Sequence, residues 1–392
     1  MPQGYLLTGA TGSLGSYLLR DGLRAADRMA VLARPHRMAS ARERVAAILG
    51  SHASNGSCNG RLPDPVVLSG DLTRDNLDLD AAGVDWISRN CHSLIHTAAS
   101  LQFDGPDPQG EPWRTNVEGT RRVLDLCRAT GIKHLHYVST AYVCGLRSGQ
   151  VMEDELDLGQ AMGNDYERSK LEAERLVRDA SFFESVTIYR PAIVVGDSKT
   201  GHTTGYHGFY SVLKLAHTLV RRVELGATNG RELTALMGLG NDESKHLVPV
   251  DWVSAVITRI RRTPCLYGRT YHLTAQQPTR ITDMAAVVQE AVERYSLLAD
   301  GDDPSRRDGR WFARVFREQM DVYGAYLRDD PQFDPTNARW AAPDLPCPLV
   351  DRDMLIMMAR RAIQSRFGRA AKPLSQRHSP AWQHTRSLPV TA

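Results

Sequence analysis

The sequence lacks long apolar runs, a marked charge of one sign and paired cysteines. No stretch approaches the roughly 20 apolar residues of a membrane-spanning helix. Lys and Arg number 48 against 45 Asp and Glu, and a net charge of +3 argues against a dedicated nucleic-acid binder. Cys58, Cys91, Cys127, Cys144, Cys265 and Cys347 are scattered with no paired spacing, which predicts reduced thiols, a cytoplasmic protein and no metal. His134 and His136 alternate in a strand while His202, His207 and His246 are dispersed, so satisfied core or loop histidines are expected. Met1-Pro2-Gln3-Gly4 leads straight into an apolar run, without the character of a signal peptide. What is present is a globular composition, 42% hydrophobic and 24% charged, over 392 residues: one large domain or two closely joined ones.

Short β-branched or apolar runs alternate with longer amphipathic ones. Strands are predicted at 5–8, 29–33, 66–69, 93–96, 134–139 and 186–191, and helices at 14–23, 39–49, 115–128 and 165–178. This order implies a parallel sheet covered on both faces, with ligands at the carboxyl ends of its strands. The Ser-, Asn- and Gly-rich stretch 51–64 reads as a loop. We read 1–196 as a dinucleotide-binding core, 197–245 as a substrate-side insertion, and 246–275 as a return to the core through strands at 246–250 and 270–274. Residues 276–365 form a helical substrate domain, with helices at 282–295, 311–327 and 354–363, and 366–392, which has no acidic residue, a disordered tail. The fold class is α/β, a Rossmann-type doubly wound parallel sheet with a smaller, mainly helical C-terminal domain.

The first strand runs into Thr8-Gly9-Ala10-Thr11-Gly12-Ser13-Leu14-Gly15. Glycine permits the sharp turn, the close approach of backbone to a pyrophosphate and tight helix packing. The helix that follows offers free N–H groups and a positive dipole end to phosphate. The second strand ends at Ala33-Arg34, where an acid would bond a ribose 2′-hydroxyl; Arg34, with Arg37 nearby, suits a 2′-phosphate, so NADP(H) is expected. Asp71-Leu72 follows the third strand, where an acid can reach adenine, and Ala98-Ala99 the fourth, where small side chains leave room.

Tyr166-Glu167-Arg168-Ser169-Lys170 places a phenol and an ammonium at i and i+4, on one helix face. A nearby ammonium lowers the pKa of a phenol, which then gives a proton to a carbonyl oxygen as hydride reaches its carbon. The fifth strand ends in Ser139-Thr140, and the Thr140 hydroxyl, or else Ser139, is placed to bond that carbonyl.

Together these segments resemble an extended short-chain dehydrogenase/reductase. Gly70-Asp71-Leu72, His96-Thr97-Ala98-Ala99, Asn116-Val117-Glu118-Gly119-Thr120, Val138–Gly145, Tyr189-Arg190-Pro191 and His246–Asp251 add to the match. The resemblance implies a Thr140–Tyr166–Lys170 triad, a structural or proton-relay role for Asn116, and Arg190-Pro191 bordering the nicotinamide. It extends to the thioester reductase and fatty acyl-CoA reductase branch through Ala41-Arg42-Glu43-Arg44-Val45, Val67–Thr73 and Ser139–Val143. Members of that branch reduce acyl thioesters on carrier proteins or coenzyme A, often in secondary metabolism. The chain opens at its first strand, so a free-standing enzyme is expected, a monomer or homodimer acting on a small-molecule or acyl-thioester substrate, with an acyl carrier protein as a further partner. A ketoreductase, a nucleotide-sugar epimerase or dehydratase, a hydroxysteroid-type dehydrogenase and a non-catalytic NADP-binding sensor stay open as alternatives. Arg221-Arg222 and Arg259 with Arg261-Arg262 read equally as docking charges or solvated faces. Tyr206 and Tyr210 read as pocket or packing, and Phe312, Phe316, Met320 and Tyr323 as a helical face over the cleft.

Overall fold

The structure is a computed structural model that describes residues 4–54, 62–220, 243–296 and 328–368. The predicted helix at 311–327 with its aromatic face, Arg221-Arg222, Cys58 and the tail beyond 368 lie outside the described residues. In chain order the first half contains β1 (Gly4–Thr8), α1 (Ser13–Arg24), β2 (Met29–Ala33), α2 (Ala41–Ser54), β3 (Val66–Ser69), α3 (Ala81–Asn90), β4 (Cys91–His96), α4 (Gly119–Thr130), β5 (His134–Val138), β6 (Gln150–Val151), α5 (Asp165–Arg178) and β7 (Ser185–Pro191). Then follow β8 (Ile193–Val195), α6 (Phe209–Val220), β9 (Ser244–Lys245), β10 (Leu247–Pro249), α7 (Val250–Arg261), β11 (Thr270–Leu273), β12 (Thr279–Arg280), α8 (Ile281–Ser296), β13 (Gln332–Phe333), α9 (Thr336–Ala341) and α10 (Arg352–Gln364).

Seven strands form one sheet in the order β11-β7-β5-β4-β1-β2-β3, and every pairing in it is parallel. Strands β1 and β2 are buried throughout, which is why they read as unbroken apolar runs rather than alternating ones. One face is covered by α1, α2 and α7 through Leu14, Tyr17, Val45, Val253 and Ile257. The other is covered by α3, α4 and α5 through Ile87, Val123, Ala173 and Val177. A third cluster joins α6, α8 and α10 through Leu213, Val288 and Met358, and reaches Ala141 and Tyr142 after β5. The strand order reverses between β1 and β4, so the crevice opens at their carboxyl ends.

Several elements differ from the sequence reading. The strand expected at 246–250 stops at Pro249, which caps α7, a helix the sequence reading missed; α3 was missed as well. The loop expected from 51 is helical to Ser54, and the insertion carries α6. The helix expected from 115 opens with a π turn, Arg114–Glu118, that carries Asn116. The first tail residues, Arg366–Gly368, form a turn that seats Phe367 5.7 Å from the Tyr206 ring.

The segment before β13 is clamped to the core by buried charge. Lys245 pairs with Asp330 at 2.7 Å, and the other Asp330 oxygen accepts from the Tyr142 hydroxyl at 2.9 Å and the His246 backbone N–H at 2.8 Å. A carboxylate holding three donors cannot be removed cheaply, because a buried ammonium is then left without its partner. We expect Asp330→Ala to lower unfolding free energy by about 3–5 kcal/mol in urea titration.

Candidate active site

The glycine turn is built by contact with β4. Gly9 has φ +76, and a Cβ there would stand 2.6 Å from the Ala98 backbone N; a Cβ at Gly15 would stand 2.0 Å from the Gly9 carbonyl oxygen. Gly12 caps α1 and supplies no side chain to its first-turn N–H groups. This uncapped end, walled by glycines, fits a dinucleotide pyrophosphate. Thr11 and Ser13 are half-buried beside it, while Leu14 turns into the core. Thr8 also points inward: its hydroxyl bonds His96 Nδ1 at 2.7 Å.

Arg34 is exposed, 3.9 Å from the Asp71 carboxylate. Hydrogen bonds from the backbone N–H and hydroxyl of Thr73 and the charges of Arg34 and Arg74 hold Asp71 below the usual carboxylate range, outweighing its partial burial. Leu72 packs on Gly119, and Ala99 is exposed at the crevice. The sequence reading quoted Arg44 only for its resemblance, yet its guanidinium reaches both the Arg34 carbonyl and the Thr11 hydroxyl, the latter at 3.2 Å. The available signal is Ser40-x-x-Glu43, a capping box: Ser40 N–H donates to Glu43 at 2.7 Å and fixes where α2 begins.

Helix α5 places Tyr166, Lys170 and Glu174 along one side, facing β5. The Asn164 side chain caps it, accepting from Glu167 N–H at 2.9 Å. The half-buried Tyr166 hydroxyl faces that of Thr140; burial pushes its pKa up to about 12, against the interaction with Thr140 that lowers it. The expectation that Lys170 lowers this pKa is therefore not met. The ammonium is held by nearer acceptors, the Tyr137 hydroxyl at 2.7 Å and the Val138 carbonyl at 2.8 Å. Thr140 also caps the short turn Ala141–Cys144, accepting from Tyr142 N–H at 3.3 Å, while Ser139 is buried below it.

Asn116 ties the site together. Its amide donates to Ser169 Oγ at 2.9 Å and the Ser100 carbonyl at 3.0 Å, and accepts from Ser100 N–H at 2.8 Å. It thus joins the loop after β4 to the turn of α5 between Tyr166 and Lys170. That loop carries Phe103, another residue missed in the sequence, whose ring lies 6.0 Å from that of Tyr166. Arg190 is fully buried and forms a fork on Glu174, with bonds of 2.7 and 3.2 Å. Its guanidinium is committed to the core, so the edge it was expected to supply falls to Pro191, whose carbonyl accepts from Thr140 at 3.5 Å. Arg259 and Arg261 pair with Asp344 and Asp27, and Tyr210 is buried in packing. Among the described residues, no cluster of His, Cys, Asp and Glu suits a metal, and no helix is long and apolar enough to cross a membrane.

Residues 7–257 match the model of an NAD-binding family described as "Male sterility protein". The chain belongs to that family. It is an extended short-chain dehydrogenase/reductase of the thioester reductase branch. It is 28% identical over 291 residues to a nonribosomal peptide synthetase, asaC, of Aspergillus flavus, covering 71% of this chain and 26% of that protein. It is 27% identical to the aldehyde reductase lnaA of the same fungus, covering 89% of this chain and 35% of that protein. The chain thus spans about a quarter to a third of these relatives. Among solved structures it resembles the terminal R domain of the myxalamid PKS-NRPS pathway, with TM-score 0.71, 26% identity and coverage of 93% and 91% of the two chains. A UDP-glucuronic acid 4-epimerase from Bacillus cereus shares the fold alone, with TM-score 0.59 and 16% identity over 93% of this chain and 100% of that one.

Burial pulls the Lys170 ammonium from the ordinary 10.5 down to about 7, with Glu174 one turn along acting against it. Between those two values the unfolded chain holds the lysine proton more tightly than the folded one. Stability tied to this group therefore rises as pH increases through that window, and is lowest below it. Lys170→Met is expected to raise the thermal unfolding midpoint at pH 7 and to flatten its rise toward alkaline pH, as read by calorimetry.

Proposed function

We propose that the chain is an NADPH-dependent reductase of acyl thioesters, carried on a carrier protein or coenzyme A, in secondary metabolism. The observation that carries this reading is the Thr140–Tyr166 hydroxyl pair at the carboxyl end of β5, with the Lys170 ammonium buried beside it and the glycine turn along the same crevice. The R-domain and aldehyde reductase likenesses support it.

Gly9, Gly12 and Gly15 and the open end of α1 hold the pyrophosphate. Arg34, exposed beside Asp71, and Arg44, held on Thr11, would flank a 2′-phosphate. The bound cofactor supplies hydride to the carbonyl carbon. Thr140 and Tyr166 bond the carbonyl oxygen, and their hydrogen bonds strengthen as negative charge develops there. With a pKa raised to about 12, Tyr166 is protonated at neutral pH and serves as the acid that completes the reduction. In the resulting hemithioacetal the C–S bond then breaks, the hydroxyl proton passes to the sulfur, and aldehyde and thiol leave. The phenolate that remains regains its proton from solvent. Phe103 forms a wall for the acyl group against the Tyr166 ring.

Two measurements test the reading. Tyr166→Phe should lower kcat with NADPH and a model acyl-CoA by about 100-fold or more while NADPH still binds, a loss typical of a removed general acid. Equal turnover would remove Tyr166 from the chemistry. Arg34→Ala and Arg44→Ala should each raise KM for NADPH by about tenfold and leave KM for NADH nearly unchanged, the signature of a lost charge-assisted bond to a phosphate.

A further inference from the structure

Lys170 can donate three hydrogen bonds, and two are already assigned within the protein, to the Tyr137 hydroxyl at 2.7 Å and the Val138 carbonyl at 2.8 Å. Tyr137 lies in β5, 1% exposed, with the Lys170 nitrogen also 4.3 Å from its ring centroid. Its hydroxyl interacts with that of Thr120 in turn. Thr120 donates to the Asn116 carbonyl at 2.6 Å, so its oxygen accepts. His96 stands 3.1 Å from that oxygen and must present Nε2–H to it, which leaves Nδ1 to accept from Thr8 at 2.7 Å. The tautomer is thereby set. Burial and the Lys170 charge keep this imidazole neutral, its pKa pushed down to about 3. Hydrogen bonds thus run from Thr8 through His96 to Thr120, and Thr120 adjoins the Tyr137 hydroxyl that receives the lysine.

We propose that Tyr137 is a positioning residue for Lys170: its hydroxyl, oriented by Thr120 and His96, fixes where the ammonium sits and stabilises its charged form, leaving the third N–H for the cofactor ribose. The inference rests on Lys170 serving the reductase site. Removing the hydroxyl takes an acceptor from a buried cation. Its proton is then held less tightly. Glu174 on the same helix is the carboxylate that acts in the other direction, and Arg178 and Arg190 share it.

The test uses full-length protein labelled with 13Cε-lysine, the Lys170 signal being assigned by its loss in Lys170→Met. Tyr137→Phe keeps the ring and its contact with the cation. It should lower the apparent pKa of Lys170 by about one unit, a tenfold loss of proton affinity. The alkaline fall of kcat should move down by the same amount, while KM for a model acyl-CoA stays within about twofold. Thr120→Val should shift the lysine in the same direction by less, and Thr120→Ser should restore it. In the Lys170→Met background Tyr137→Phe should cost no further activity. An unmoved Lys170 titration in both Tyr137→Phe and Thr120→Val overturns the proposal, even if Lys170→Met is inactive. A fully active Lys170→Met with a shifted lysine in Tyr137→Phe would overturn the reductase triad and leave the positioning contact standing.

Discussion

The structure depends on one costly act, the burial of a lysine ammonium between a central helix and a central strand. An amine so placed must find acceptors or lose its proton. Lys170 finds them on β5 itself, in the Val138 carbonyl at the end of the ladder and the Tyr137 phenol. That requirement fixes the rotation of α5 about its axis. Once α5 is set, Tyr166 falls beside Thr140, and Glu174 falls on Arg190. The reactive face and the packed face of the same helix are thus settled by a single contact zone.

The sheet was legible because strands such as β1 and β2 are buried on both faces, and such strands announce themselves as short apolar runs between glycine-rich and polar turns. The cradle was legible for a related reason: where backbone meets backbone, as at Gly9 against Ala98 and Gly15 against Gly9, only one residue type fits. The proposed Tyr166–Lys170 pair rests on the i, i+4 spacing that the sequence shows. Arg44, Phe103 and Tyr137 did not show, since each acquires its meaning from a neighbour far along the chain. Tyr137 read as one more aromatic strand residue, and only the arrival of α5 gives it a cation. Arg190 erred in the other direction. The family resemblance implied a place at the nicotinamide, whereas the side chain turns to the carboxylate of Glu174 in α5. Helices α3 and α7 were missed although each carries a signal, the Asp80 cap of α3 and the Val250, Val253, Val256, Ile257, Ile260 face of α7.

The electrostatics of the site divide between two layers. The outer one, around Arg34, Arg37 and Arg44, is wet and basic, suited to an anionic group that arrives from solvent. The inner one, around His96, Lys170, Glu174 and Arg190, is dry: Glu174 answers Arg190, while the Lys170 ammonium is held by neutral acceptors. Burial there raises the phenol of Tyr166 and lowers the amine of Lys170, drawing both toward their uncharged forms. A buried phenol and a buried amine, both with displaced pKa values, mark a candidate functional site.

Asp330 grips Tyr142, and Tyr142 is two residues from Thr140. The short turn Ala141–Cys144 joins the Thr140 hydroxyl to the core packed by α6, α8 and α10. Any tilt of that helical layer, whether from an acyl chain pressing on it or from a protein leaning against it, reaches Thr140 through one phenol and one carboxylate. The pocket wall and the reacting end are in that sense a single lever.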